Sequence, residues 1–237
     1  MIRAVVFDLR DTVIRVDRAY ARMHALLRRF MRERGANLTQ KQLDTAFGNT
    51  LQRVKKRFDT DVHDWNVVLL DYIFEDCGLR VPQKTMQKFL KRYDRVFVAN
   101  AALYPDAKSI LKLLRKRGLK LGVVIDGTRR RERALLKRLK LNTFFDAAVI
   151  SEDVGVNKFT PVPLATAIQR LKIPPREILV VGDRIDKDIV HANRLGCISV
   201  KLERPGGRYT DTAALASDER PRHIVHSLSE ITLLLDR

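Results

Sequence analysis

Few residues of this chain combine types and spacings that could carry chemistry. Acidic residues gather at three places, each directly after a short apolar run. Asp8 and Asp11 follow Val5-Val6-Phe7, Asp126 follows Val123-Val124-Ile125, and Asp183, Asp186 and Asp188 follow Val180-Val181-Gly182. Lys158 stands a little before Pro161. Other chemistries have little to work with. Cys77 and Cys197 are the only cysteines and lie in different segments, which leaves neither a disulfide framework nor a thiolate cluster. His24, His63, His191, His223 and His226 are scattered, with no pair at a metal-binding helical spacing. Pro205-Gly206-Gly207 reads as a turn, because no phosphate-loop or dinucleotide pattern surrounds it.

The elements that must position these acids follow from the apolar rhythm. Residues 3–7 form a β-branched run that reads as a buried strand delivering Asp8 at its carboxyl end. Residues 17–98 read as wholly helical, in four helices. In the first, Tyr20, Met23, Leu27 and Phe30 recur at helical spacing before Gly35. Thr39-Gln40-Lys41-Gln42 is a capping box for the second helix, and two more are expected near 62–77 and 83–97. Trp65 and the Phe and Tyr residues at helical spacing read as the core of this insert. Beyond residue 103 the pattern alternates. Helices near 106–117, 129–140, 162–171 and 186–195 are interleaved with strands 120–125, 147–150, 178–182 and 197–202. A last strand and helix occupy 223–236, with Ser227 to Glu230 as a capping box. Apolar strands in repeated αβ units imply a parallel sheet covered on both faces, which binds ligands at the carboxyl ends of its strands.

The residues at those ends resemble the four motifs of the haloacid dehalogenase (HAD) superfamily, the aspartate-nucleophile phosphatases and their relatives. Val5 to Val13 is similar to the first motif, Leu121 to Gly127 to the second, and Lys158 before a helix to the third. Val180 to Asp188 is similar to the fourth. The resemblance covers nearly the whole chain. It implies an α/β fold with a Rossmann-like parallel-sheet core, residues 1–14 and 99–237, and an inserted all-helical cap, residues 15–98. It also implies magnesium-dependent phosphate ester hydrolysis. Asp8 would attack phosphorus to give an acyl-phosphate, and Lys158 would neutralise phosphate charge and keep Asp8 ionised. Asp8, Asp183, Asp188 and the carbonyl of residue 10 would hold Mg²⁺, and Asp126, Gly127 and Thr128 would line the substrate site.

Two positions depart from that pattern. The first-motif acid/base carboxylate falls at Arg10, and a guanidinium can neither protonate a leaving group nor activate water. The phosphate-binding hydroxyl of the second motif falls at Ile125, which has no donor. Thr128 offers a hydroxyl further along the loop, and Asp11 a carboxylate one residue late. Arg10 itself is expected either to join Asp8, Lys158 and Asp126 in an ion-pair network that displaces the metal, or to clamp a phosphate bidentately. Weak or lost turnover, a pseudoenzyme in the extreme case, is the expectation.

The chain has 237 residues, 46 Lys plus Arg against 28 Asp plus Glu, a formal charge of +18 and a sequence pI near 10.3. With 45% apolar and 31% charged residues it is globular rather than disordered. The surplus is local. Residues 14–98 hold 18 basic and 10 acidic residues, residues 99–146 hold 13 and 4, and residues 147–237 hold 13 and 12. The dense runs include Arg53, Lys55, Lys56 and Arg57, then Arg115-Lys116-Arg117, then Arg129, Arg130, Arg131 and Arg133. Such a surplus is readily understood if a polyanion compensates it by counterion release. The alternative to a phosphohydrolase is therefore a non-catalytic protein of this fold that binds RNA, DNA or a ribonucleoprotein. No apolar run approaches membrane-span length and no secretory signal is visible, so a cytoplasmic protein, monomeric or dimeric, is expected.

Overall fold

The computed structural model describes residues 1–58, 65–207, 209 and 216–235, with side chains outside 54–58 and 65–67. His63 and the side chains of Lys55, Lys56, Arg57 and Trp65 therefore lie outside the described residues.

Strand β1 (Ala4–Asp8) is followed by the two-residue β2 (Ile14–Arg15) and by helices α1 (Asp17–Arg32), α2 (Gln40–Phe58), α3 (Trp65–Asp76) and α4 (Gln83–Asn100). The chain returns through β3 (Ala102–Leu103), which pairs antiparallel with β2, so the helical insertion leaves and re-enters the sheet through one short ribbon. The expected capping box opens α2: Thr39 N donates to Gln42 Oε1 at 2.9 Å and Gln42 N donates to Thr39 Oγ1 at 3.2 Å. Then follow α5 (Ala107–Lys116), β4 (Lys120–Ile125), α6 (Arg129–Arg138), β5 (Ala147–Ile150), α7 (Ser151–Val154) and α8 (Val162–Leu171). β6 (Ile178–Gly182), α9 (Val190–Arg194), β7 (Ile198–Leu202) and β8 (His223–Val225) complete the sheet.

Six strands lie parallel in the order β5-β4-β1-β6-β7-β8. One apolar cluster joins the insert to the sheet face covered by α5 and α6; the other, including Val6, Val180 and Leu171, fills the face covered by α8. Register is what makes the site. Asp8 lies opposite Val124, and Phe7 opposite Val181, so the carboxyl ends of β1, β4 and β6 finish level.

Two segments differ from the sequence expectation. The last segment, Leu228–Leu234, is a 3₁₀ helix, because Leu228 and Ile231, three residues apart, both enter the core. Its capping box is not made either: the Glu230 carboxylate accepts from the Ser227 hydroxyl and from His226 N. The helix expected at 186–195 begins with a π-helical turn, Ile185–Ile189, before α9.

Candidate active site

The level strand ends bring together residues from distant parts of the chain. Lys158 is buried, and its ammonium contacts Asp8 Oδ1 and lies 2.6 Å from Asp188 Oδ1. The other Asp188 oxygen accepts from Arg184 N at 3.1 Å. Gly182 makes this approach possible, since a β-carbon there would overlap the Asp188 carboxylate. The π-helical turn tucks Asp188 back over the end of β6, a widening of the helix often found at functional positions.

Asp8, Asp183 and Asp188 each present a carboxylate oxygen within 4.8 Å of the others. Asp11, held at φ 57°, is buried close by. Lys158 pairs with both Asp8 and Asp188, one ammonium between two carboxylates. The imbalance is visible at Asp183. Burial, followed by the charges of Asp8, Asp188 and Asp11, pushes its carboxyl up to about 9. Asp188 is likewise raised, by burial first, with Lys158 opposing. Burial alone would lower Lys158, but Asp188, Asp8 and Asp126 outweigh it and raise the ammonium. Three all-oxygen ligands in excess of their counter-charge are a donor set suited to a hard divalent cation.

The second-motif residues form a brace beside this group. Asp126 Oδ1 accepts from Lys158 N at 2.8 Å, and Asp126 Oδ2 meets the Lys187 ammonium at 2.5 Å. Burial opposes ionisation of Asp126, but Lys187 and Lys158 hold its carboxyl below the usual range. Asp126 thus ties the Lys158 loop to the π-helical turn. Gly127 N donates to Ser151 Oγ at 2.9 Å, and Thr128 caps α6, its hydroxyl accepting from Arg131 N at 3.3 Å. Ile125 packs in the apolar cluster with Phe7 and Leu135.

Arg10 corrects one expectation. Its ion-pair network does not include Asp8 or Lys158. Nη2 meets Glu132 Oε1 at 2.5 Å and Nη1 donates to the Asp126 carbonyl at 2.5 Å. The side chain of Glu132 is 0% exposed and also takes Arg131 Nε at 2.6 Å. Burial is the largest influence and opposes the Arg10 charge, as does Arg131, but Glu132, Tyr20 and Asp126 together outweigh them and raise the guanidinium. Arg131 continues to Asp94 of α4 at 3.5 Å, and Arg130 pairs with the same carboxylate. Arg10 and Arg131 both stack on Phe97, at 5.1 and 5.7 Å from its ring centre. Gly127 makes room for the cluster, since a β-carbon there would overlap Arg131 and Glu132.

Glu132, Asp94 and Lys187 were not singled out from sequence. The available signal was that Glu132 is the only acid between Arg129 and Arg138. Of the basic residues singled out, Arg53 pairs with Asp76 at 2.6 Å and Arg129 with Asp153 at 2.5 Å, while Arg133 is exposed on α6.

A parallel sheet with an inserted helical cap, and an aspartate, a lysine and two further aspartates at its strand ends, define a class of hydrolase. The chain belongs to it: residues 2–196 match the family model for haloacid dehalogenase-like hydrolases. It is 33% identical to the glyceraldehyde 3-phosphate phosphatase of Methanopyrus kandleri over 98% of this chain and 99% of that protein. It is 29% identical to haloacid dehalogenase-like hydrolase domain-containing protein 3 of Danio rerio, over 97% and 95% of the two chains. Among solved structures it resembles a HAD phosphatase from Thermococcus onnurineus, with a TM-score of 0.70, 26% identity and coverage of 99% and 98%. The fold also matches the magnesium-bound putative HAD-hydrolase YfnB from Bacillus subtilis at a TM-score of 0.76 and 18% identity, covering 100% and 99%.

Proposed function

We propose that this chain is a phosphohydrolase acting on a small phosphorylated compound through Asp8, with turnover slowed by the loss of its acid/base group. The observation that carries the reading is the buried ammonium of Lys158 set between Asp8 and Asp188, with Asp183 beside them. An Asp8 carboxylate oxygen attacks phosphorus, the bond to the leaving oxygen breaks, and the phosphoryl group is left on Asp8 as an acyl-phosphate. Water then breaks the acyl-phosphate and releases phosphate. Lys158 opposes the negative charge gathering on the phosphoryl oxygens. Asp8, Asp183 and Asp188 would hold Mg²⁺, which would supply further neutralisation of negative charge at the phosphoryl group. The cap, residues 15–98 on a core of 1–14 and 99–237, covers the site and selects the substrate.

Arg10 sets the rate. Proton transfer to the leaving group and from the attacking water loses its group at this position, at a typical cost of about 10²- to 10⁴-fold. The missing hydroxyl at Ile125 removes a phosphoryl contact, by analogy with an oxyanion donor worth about 2.7–4 kcal/mol. The names of several relatives make glyceraldehyde 3-phosphate the first substrate to try. Phosphate release from a panel of phosphorylated compounds, with and without Mg²⁺, tests the reading. Turnover no higher than that of Asp8→Asn protein would sink it and leave the second reading, a non-catalytic member of the family. The pairing of Arg10 with Glu132 favours that second reading.

A further inference from the structure

The positive surplus has a shape that the active site does not use. Helices α4 and α6 contain two acids between them, Asp94 and Glu132, and both are buried and paired with arginines of α6 or with Arg10. The outward faces are left with one sign. On α4 the exposed charged residues are Lys84, Lys88, Lys91, Arg92 and Arg95, of which Lys84, Lys88, Lys91 and Arg95 follow one another at steps of three to four residues. Each such step is about 4.5–6 Å along the axis, and the 18-residue helix is about 27 Å long. The stripe continues onto α6, which is tied to α4 through Arg130 and Asp94 and carries Arg133 and Lys137 exposed beyond that contact.

We propose that the outer faces of α4 and α6 form a docking surface for the phosphate backbone of double-helical nucleic acid, bound without reading sequence. Apart from the cations, the exposed positions of these helices are glutamine and alanine. Protein interfaces concentrate aromatic residues and shed lysine, the reverse of this composition. A membrane-surface helix needs a free apolar face, whereas Met86, Phe89, Tyr93 and Phe97 of α4 are committed to the core. Single strands are held by bases stacking on exposed aromatic rings, and these faces carry none. Charge contacts to a duplex backbone need only the cations, which also displace its condensed counterions. The surface goes beyond the hydrolase reading and does not depend on whether Asp8 turns over.

Fluorescence anisotropy with short RNA and DNA duplexes, titrated from about 50 to about 200 mM salt, reads the affinity and its salt slope. The unmodified protein should bind both duplexes, with affinity falling steeply as salt rises. The variant Lys84→Glu, Lys88→Glu, Lys91→Glu, Arg95→Glu should lose affinity at least tenfold. Its slope of log K against log salt should be shallower by about 3.6, at about 0.9 per lost contact. If that variant fails to fold by circular dichroism, Lys88→Gln with Lys91→Gln should still reduce the slope by about 1.8. Lys172→Glu with Arg176→Glu, just past the end of α8, which covers the opposite face of the sheet, should change affinity less than twofold. No duplex binding at about 50 mM salt would overturn the proposal. So would an equal loss from the opposite-face variant, or binding to phosphatidylserine vesicles without binding to duplex.

Discussion

Removing Arg10 should cost far more than removing an ordinary surface arginine, because of what it leaves behind. Glu132 is fully buried and takes one hydrogen bond from Arg10 at 2.5 Å and one from Arg131 at 2.6 Å. Breaking a buried ion pair by deleting one partner typically costs about 3–5 kcal/mol, since the survivor stays desolvated without compensation. Arg131 remains, so Arg10→Ala is placed at the low end, about 3 kcal/mol. For a chain of this size that is a fall in Tm of about 6–12 °C. Arg10→Asp should be worse, since it sets a second carboxylate beside Glu132. Arg10→Asp with Glu132→Gln should recover much of the loss. A double-mutant cycle should give a coupling of about 2–3 kcal/mol for Arg10 and Glu132, against about 0.3–0.5 for the exposed pair Arg29 and Glu33. Thermal and denaturant unfolding measure both. A coupling below about 0.5 kcal/mol would put the pair in the surface class and refute the reasoning. The same variants bear on activity. Reinstating the acid/base group requires Glu132→Gln as well as Arg10→Asp and Ile125→Thr, and the triple variant should release phosphate faster than the unmodified chain by about 10²-fold or more.

Three further outcomes follow from the geometry. Gly182→Ala should push Asp188 off the end of β6, and isothermal titration should show weakened Mg²⁺ binding. Because the Asp183 carboxyl is pushed up to about 9, the folded chain without a divalent cation holds a proton that the unfolded chain releases near pH 4. Stability should therefore fall as pH rises from about 4 to about 9, and Mg²⁺ should raise Tm more at about pH 8.5 than at about pH 6. Scanning calorimetry checks both signs. Burial pushes the Cys197 thiol up to about 12, whereas Cys77 is only half-buried. At about pH 8 a thiol reagent should label Cys77 in the native protein and reach Cys197 only after unfolding.

Much of the core was legible because its signals are local. Strands β4 and β5 fall where their apolar runs do, and Thr39 and Gln42 cap α2 as their spacing requires. The acids at the strand ends could be located because a parallel sheet exposes its ligands there. What could not be read was the partner of Arg10. Glu132 is 122 residues away in sequence and looks, within its run of arginines, like one more solvated helix residue. It lies on the face of α6 that also buries Leu135 and Leu136, where Arg10 reaches it from the end of β1. The packing of α4 against α6 sorts the basic runs, committing Arg130 and Arg131 to Asp94 while leaving Lys88 and Lys91 outside. The π-helical turn that delivers Asp188 has no signature in Ile185–Ile189, because it follows from the fit of that carboxylate over Gly182.

If Asp8 attacks phosphorus while Arg10 cannot help water to finish the reaction, the phosphoryl group should be caught on the protein. Acid-quenched mass spectrometry of the protein after incubation with glyceraldehyde 3-phosphate and Mg²⁺ tests it most directly. The expected result is a phosphoryl group on Asp8 that accumulates because its hydrolysis is slow, and that is absent from Asp8→Asn protein. An unmodified Asp8, together with phosphate release no greater than that of Asp8→Asn, would contradict it.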